Sequence, residues 1–142
     1  MKQFLLWNMI AVMMIGSMSC DAAQGKKNQS AKKVAAQNVE VYYFHFTRRC
    51  VTCKAVETEA KKALESLYPT QTKSGKITFK GINLDDESSK VFAEKLGVEG
   101  QSLLIVGGGK KIDLTSQGFM YARSNPEKLK AEIKAAIDPL IK

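Results

Sequence analysis

The chain has little of what metal-built or disulfide-built scaffolds need. Its 142 residues include one histidine and three cysteines. One histidine leaves no His-rich zinc site, and three cysteines are too few for a disulfide framework. No apolar run approaches the roughly 20 residues that a membrane-spanning helix requires. Internal repeats are absent, as is any basic stripe interleaved with stacking aromatics, so a nucleic-acid role has no footprint. What remains is ordinary: 44% hydrophobic and 25% charged residues, enough for one conventional core.

The formal charge of +8 is unevenly spread. Five of the 22 basic residues and one of the 14 acidic residues precede position 39. That leaves 17 and 13 beyond it, a balance of only +4. The N-terminal basic residues are Lys2, Lys26, Lys27, Lys32 and Lys33. Charge placed there fits attraction to anionic lipid headgroups better than a charged folded domain.

The first 20 residues have the order of a secretory signal. Lys2 is a thin positive region, Phe4 to Ile15 are apolar except for Asn8, and Gly16-Ser17-Met18-Ser19 supply small residues before Cys20. The segment resembles a bacterial lipoprotein signal, although Ser17 stands where a leucine is usual. The resemblance implies lipidation of Cys20, membrane attachment, and export to the cell envelope or a periplasm-facing surface. An ordinary cut near Cys20 is the competing reading, and it would leave an unpaired thiol on an exported protein. Residues 21–38 are polar and Lys-rich and read as a flexible tether. Residues 39–142 form the domain.

Within the domain, VEVYYFHF at 39–46 is nearly continuous in β-branched and aromatic residues, the pattern of a central strand covered on both faces. A helix is predicted from the CVTC motif to about Tyr68. Cys53, Val56, Ala60, Ala63, Leu64 and Leu67 share one face of it, and Pro69 stops it. Thr70 to Gly75 read as a polar loop and Lys76 to Leu84 as a second strand. A short helix follows, capped by Asp85 or Asp86, with Phe92 and Leu96 inward and Gly97 ending it. Leu103 to Val106 form a third strand, Gly107 to Gly109 a turn, and Lys111 to Thr115 a fourth strand with Ile112 and Leu114 inward. The last helix starts at Ser124-Asn125-Pro126-Glu127, by either an Asn cap or a Ser/Glu capping box. Leu129, Ile133, Ala136, Ile137 and Leu140 form its apolar stripe. The expected fold is α/β, in the order β-α-β-α-β-β-α. A parallel first pair and an antiparallel hairpin give a mixed four-stranded sheet flanked by helices.

A hydrophobic strand, then Cys50-Val51-Thr52-Cys53, then a helix, in this element order over 39–142, resembles the thioredoxin-like family. The placement has a physical reason. A cysteine at a helix N-terminus meets unpaired N–H groups and the positive end of the dipole, which favour the thiolate nucleophile. Arg48, Arg49 and Lys54 add positive charge nearby. Export would put the pair where disulfides persist. The resemblance assigns Cys50 as attacking nucleophile and Cys53 as resolving cysteine, with Arg49, Gln101, Ser102 and Gly118 bordering the substrate groove. Stabilising the thiolate favours the reduced form and tilts the expectation toward an oxidant or isomerase.

The sequence departs from the family at three positions. Ser102 occupies the usual cis-proline slot, where a non-proline cis bond would cost about 2.5–4 kcal/mol, so a trans peptide is expected. Phe44 stands where thioredoxin has a buried aspartate. Arg49 replaces the tryptophan before the first cysteine. Gly118, followed by Phe119 and Met120, is either the family's site-flanking glycine or a loop glycine beside two core side chains.

The function implied is thiol–disulfide exchange on protein or small-molecule disulfides, with a recycling redox partner and no cofactor beyond the Cys50–Cys53 disulfide. The alternative is a non-catalytic module of the same fold, such as a soft-metal carrier or an accessory subunit of a reductase system. His45 would be the third ligand of such a carrier. Three ligands without a fourth make a poor zinc site, so His45 reads first as a strand histidine satisfied by backbone.

Overall fold

Residue patterns along the chain become a layered α/β structure in the computed structural model, which describes residues 38–142. The signal, Cys20 and most of the tether lie outside the described residues. The strands are β1 (Val39–His45), β2 (Ile77–Asn83), β3 (Ser102–Gly107) and β4 (Lys110–Asp113). The helices are α1 (Val51–Leu67), α2 (Pro69–Lys73), α3 (Glu87–Lys95), α4 (Thr115–Tyr121) and α5 (Pro126–Ile137), followed by a 3₁₀ turn at Asp138–Leu140. They form a mixed four-stranded sheet in the order β2-β1-β3-β4. β1 and β2 are parallel, with Tyr43 opposite Gly81; β3 runs antiparallel to β1, with Ser102 opposite Phe44. This is the mixed four-stranded α/β sheet flanked by helices that the sequence pattern predicts.

Strand alternation divides the core in two. Val39, Val41 and Tyr43 point to the face covered by α1, α4 and α5, where Val56, Ala60, Leu64, Leu129, Ile133 and Ile137 meet Leu103 and Ile105. Tyr42 and Phe44 point to the other face, against Ala93, Val98 and Leu104, with Phe92 and Leu96 packed alongside. β1 is therefore covered on both sides, which is why its apolar run is nearly unbroken. Each Ile or Leu so buried stabilises the fold by about 1.5–3 kcal/mol.

The structure corrects the expected order at two places. Residues 70–73, expected within a loop, belong to α2, which begins at Pro69. Pro69 at its first turn ends α1 and starts a new helical turn, because the missing N–H would be unpaired at that position anyway. The fourth strand ends at Asp113 rather than Thr115, and the chain turns at once into α4, which the element order lacked. Leu114 is buried at this turn as the N-cap residue of α4, so its apolar character served a helix start rather than a strand face. At the start of α3, Asp86 is the N-cap residue but makes no side-chain cap bond. The Asp85 carboxylate is used elsewhere, accepting from the Thr47 backbone N–H at 2.7 Å.

The glycine turn and the α5 start lie where the sequence puts them, with Gly107 in β3 and one of the two alternative α5 caps in use. Gly108 and Gly109, at φ 59° and 71°, form the two-residue β3–β4 turn, where both central residues need positive φ. The Asn125 side chain accepts from the Lys128 N–H at 3.1 Å and Pro126 sits at the first turn, so the Asn cap was used at α5.

Ile133 is fully buried between α5 and the sheet. Ile133→Ala should cost about 2–5 kcal/mol. Urea unfolding should show a lower midpoint with an unchanged slope, and a loss below about 1 kcal/mol would mean that α5 does not hold the sheet.

Candidate functional site

β1 ends at His45, and the next four residues carry the chain to Cys50. That loop is pinned. Besides the bond from Thr47 N–H to Asp85, the Asn83 side chain donates to the Thr47 hydroxyl at 3.0 Å and accepts from the Asp85 N–H at 3.1 Å. The Thr47 amide holds the Asp85 carboxyl below its usual range. The loop after β2 thus fixes the loop after β1, and with it the start of α1.

Cys50 is the N-cap residue of α1. Its backbone is extended, at φ −72° and ψ 167°, and its sulfur accepts from the Cys53 N–H at 3.1 Å. A serine or aspartate oxygen would satisfy an unpaired amide in the same way. A thiolate at this sulfur would meet the same donor and the positive end of a 17-residue helix. Cys50 and Cys53 form a disulfide with their Cα atoms 5.1 Å apart. The two cysteines differ in access: Cys50 is exposed, whereas Cys53 is 3% exposed. Val51 between them is 70% exposed and offers an apolar surface beside the outer sulfur.

The positive charges expected around Cys50 are not equivalent. Arg48 and Lys54 are exposed. Arg49 turns to α1 and pairs with Glu57, whose other carboxylate oxygen accepts from Lys61 at 2.9 Å. Burial pushes the Glu57 carboxyl up, but hydrogen bonds and charge from Lys61 and Arg49 outweigh it and leave the group below its usual range. Behind this pair the Tyr43 hydroxyl is buried without a partner among the described residues. Burial pushes it up to about 12, while Arg49 pulls it down and Glu57 pushes it further up.

Gln101 and Ser102 are half-buried. β3 starts where β1 ends, so they lie at the sheet end that carries the cysteines. The Ser102 hydroxyl donates to the Gly100 carbonyl at 3.0 Å. Gly118 is buried within α4, and a Cβ there would lie 3.1 Å from Val56 of α1 and 3.5 Å from Leu103. Its missing side chain lets α4 approach α1 one turn beyond Cys53. Phe119 is half-buried and Met120 is 60% exposed. Phe44 is fully buried on the far face of the sheet. The His45 Nδ1–H donates to the Phe46 carbonyl at 3.0 Å. Among the described residues no three His, Cys, Asp or Glu side chains converge to hold a metal ion, and no helix is long and apolar enough to cross a membrane.

Sequence reasoning missed Glu57. It lies outside the apolar face that the spacing picks out on α1. The available signal was its position one turn after Cys53, but only the fold shows that Arg49 reaches it.

No family model matches this sequence, and no curated protein matches it. Solved structures similar to it include one described as a malarial protein, with TM-score 0.45 and 20% identity, covering 69% of this chain and 96% of that one. Another holds the first two thioredoxin domains of Naumovozyma dairenensis Eps1p, with TM-score 0.46 and 21% identity. That match covers 75% of this chain and 38% of the other. The fold reading therefore rests on this chain's own strand order and pairings, and the site on its own cysteine pair.

Proposed function

We propose that this chain is a thiol–disulfide oxidoreductase that works through Cys50 and Cys53 at the cell envelope, carried on a lipidated Cys20. One observation carries the chemical part: an exposed sulfur at a helix N-terminus is joined to a buried sulfur one turn inside. Only the outer sulfur is open to a substrate. The inner one is placed to attack it.

In the reducing direction the Cys50 thiolate attacks one sulfur of a substrate disulfide, and the other substrate sulfur leaves as a thiolate. Cys53 then loses its proton and attacks the Cys50 sulfur, breaking the mixed disulfide. The substrate departs with two thiols, and the protein keeps the Cys50–Cys53 disulfide. Two electrons have moved from the pair to the substrate, and a dithiol partner returns them. The same steps reversed oxidise a substrate dithiol. Arg49, Gln101 and Ser102 are proposed to border the groove in which substrate is held, with the buried Gly118 behind it as a packing contact. The substrates are protein or small-molecule disulfides or thiols.

In cells, Cys53→Ser should trap covalent mixed disulfides through Cys50, seen as thiol-reversible adducts on non-reducing gels. If that variant traps nothing while the reduced wild type takes up Cu(I) or Zn(II) stoichiometrically, the chain is a metal carrier instead. The helix terminus should hold the Cys50 thiol below the ordinary value of about 8.5. Alkylation rates measured against pH check this, and an inflection at or above that value would remove the electrostatic part of the proposal. The mature chain should partition with membranes, and Cys20→Ala should release it to the soluble fraction. Unchanged partitioning would rule out the anchor.

A further inference from the structure

The residue directly before the nucleophile carries a guanidinium, and a free cation there would stabilise a Cys50 thiolate. In the structure that guanidinium is not free. Arg49 pairs with Glu57 in the second turn of α1, and the Glu57 side chain is 16% exposed. Both carboxylate oxygens are used, one by Arg49 and the other by Lys61. The carboxylate also lies against a gap in β2. A Cβ built on Gly81 would stand 3.3 Å from Glu57 Oε1 and 3.5 Å from His45 Nε2. Because Gly81 has no side chain, the carboxylate has room between the edge strand and the helix. The charged and titratable groups around it are His45 and Tyr43 from β1, Lys61 from α1 and Arg49 from the loop; Arg48 and Lys54 flank Cys50 on the solvent side.

We propose that Glu57 is a positioning residue for the exchange reaction: it pairs with the Arg49 guanidinium and offsets its charge, and so sets how readily the Cys50 thiolate forms. This rests on the exchange reading above. The helix terminus then supplies most of the thiolate stabilisation, and the Arg49–Glu57 pair is nearly neutral toward the sulfur. Removing the carboxylate both deletes a negative charge and releases the guanidinium, so Cys50 becomes more acidic. Removing the guanidinium alone leaves a negative charge and makes Cys50 less acidic.

The test is the pH profile of alkylation at Cys50 in the reduced full chain, read by peptide mass. Glu57→Gln should raise the thiolate fraction near neutral pH by about two- to threefold. Arg49→Gln should lower it, and the double variant should return to the wild-type profile. Glu59→Gln removes an equal charge from the same helix at a carboxylate paired with Lys62, and it should leave the profile in place. A Glu57→Gln profile that matches wild type, or a double variant that keeps the Glu57→Gln shift, overturns the proposal. The mixed-disulfide trap separates the two readings. A chain that still traps substrate but shows no Glu57 effect loses only this inference, whereas a chain that traps nothing loses the exchange reaction.

Discussion

Cys50 caps α1 with its own sulfur. The Cys53 amide donates to it, in a place where other helices use a hydroxyl or carboxylate oxygen. A helix must leave its first N–H groups unpaired, and here one of them points at the Cys50 sulfur. The capping bond and the disulfide both depend on the chain entering the helix at Cys50 in extended geometry. The rest of the fold holds that entry point.

It is held from two directions. The Thr47–Asn83–Asp85 bonds tie the incoming loop to the end of β2. Behind it, β1 is covered on both faces, so the strand that delivers the loop cannot shift without exposing Tyr43 on one side or Phe44 on the other. α4 then packs on α1 through Gly118, where even a methyl group would crowd Val56. The outer cysteine remains accessible while its partner stays covered, because Cys53 faces the same seam as Val56 and Ala60.

Charge around the site follows the same division. The cations nearest to Cys50 in sequence are Arg48, Arg49 and Lys54. Arg49 is paired inward with Glu57, while the other two extend into solvent, where water and salt weaken their effect on the sulfur. Backbone donors are not screened in this way. Fixed at 3.1 Å from the sulfur, the Cys53 amide is the dependable part of the electrostatics.

Sequence alone was sufficient for the α/β class, the strand and helix periods, a glycine turn before β4, the start of α5 and the position of the cysteine pair. Each depends on residues close together in the chain, where side-chain spacing and backbone preference act directly. α2 and α4 were not legible. Both are short helices whose residues carry no strong apolar period, and packing against longer elements holds them in place. Nor could the sequence show that Arg49 meets Glu57, that Asp85 bonds Thr47 rather than capping α3, or that Gly118 marks a helix contact. Those pairings join residues from eight to 62 positions apart. Local propensity is blind at that distance, and only the stacking of α1 and α4 on the sheet brings the partners within reach.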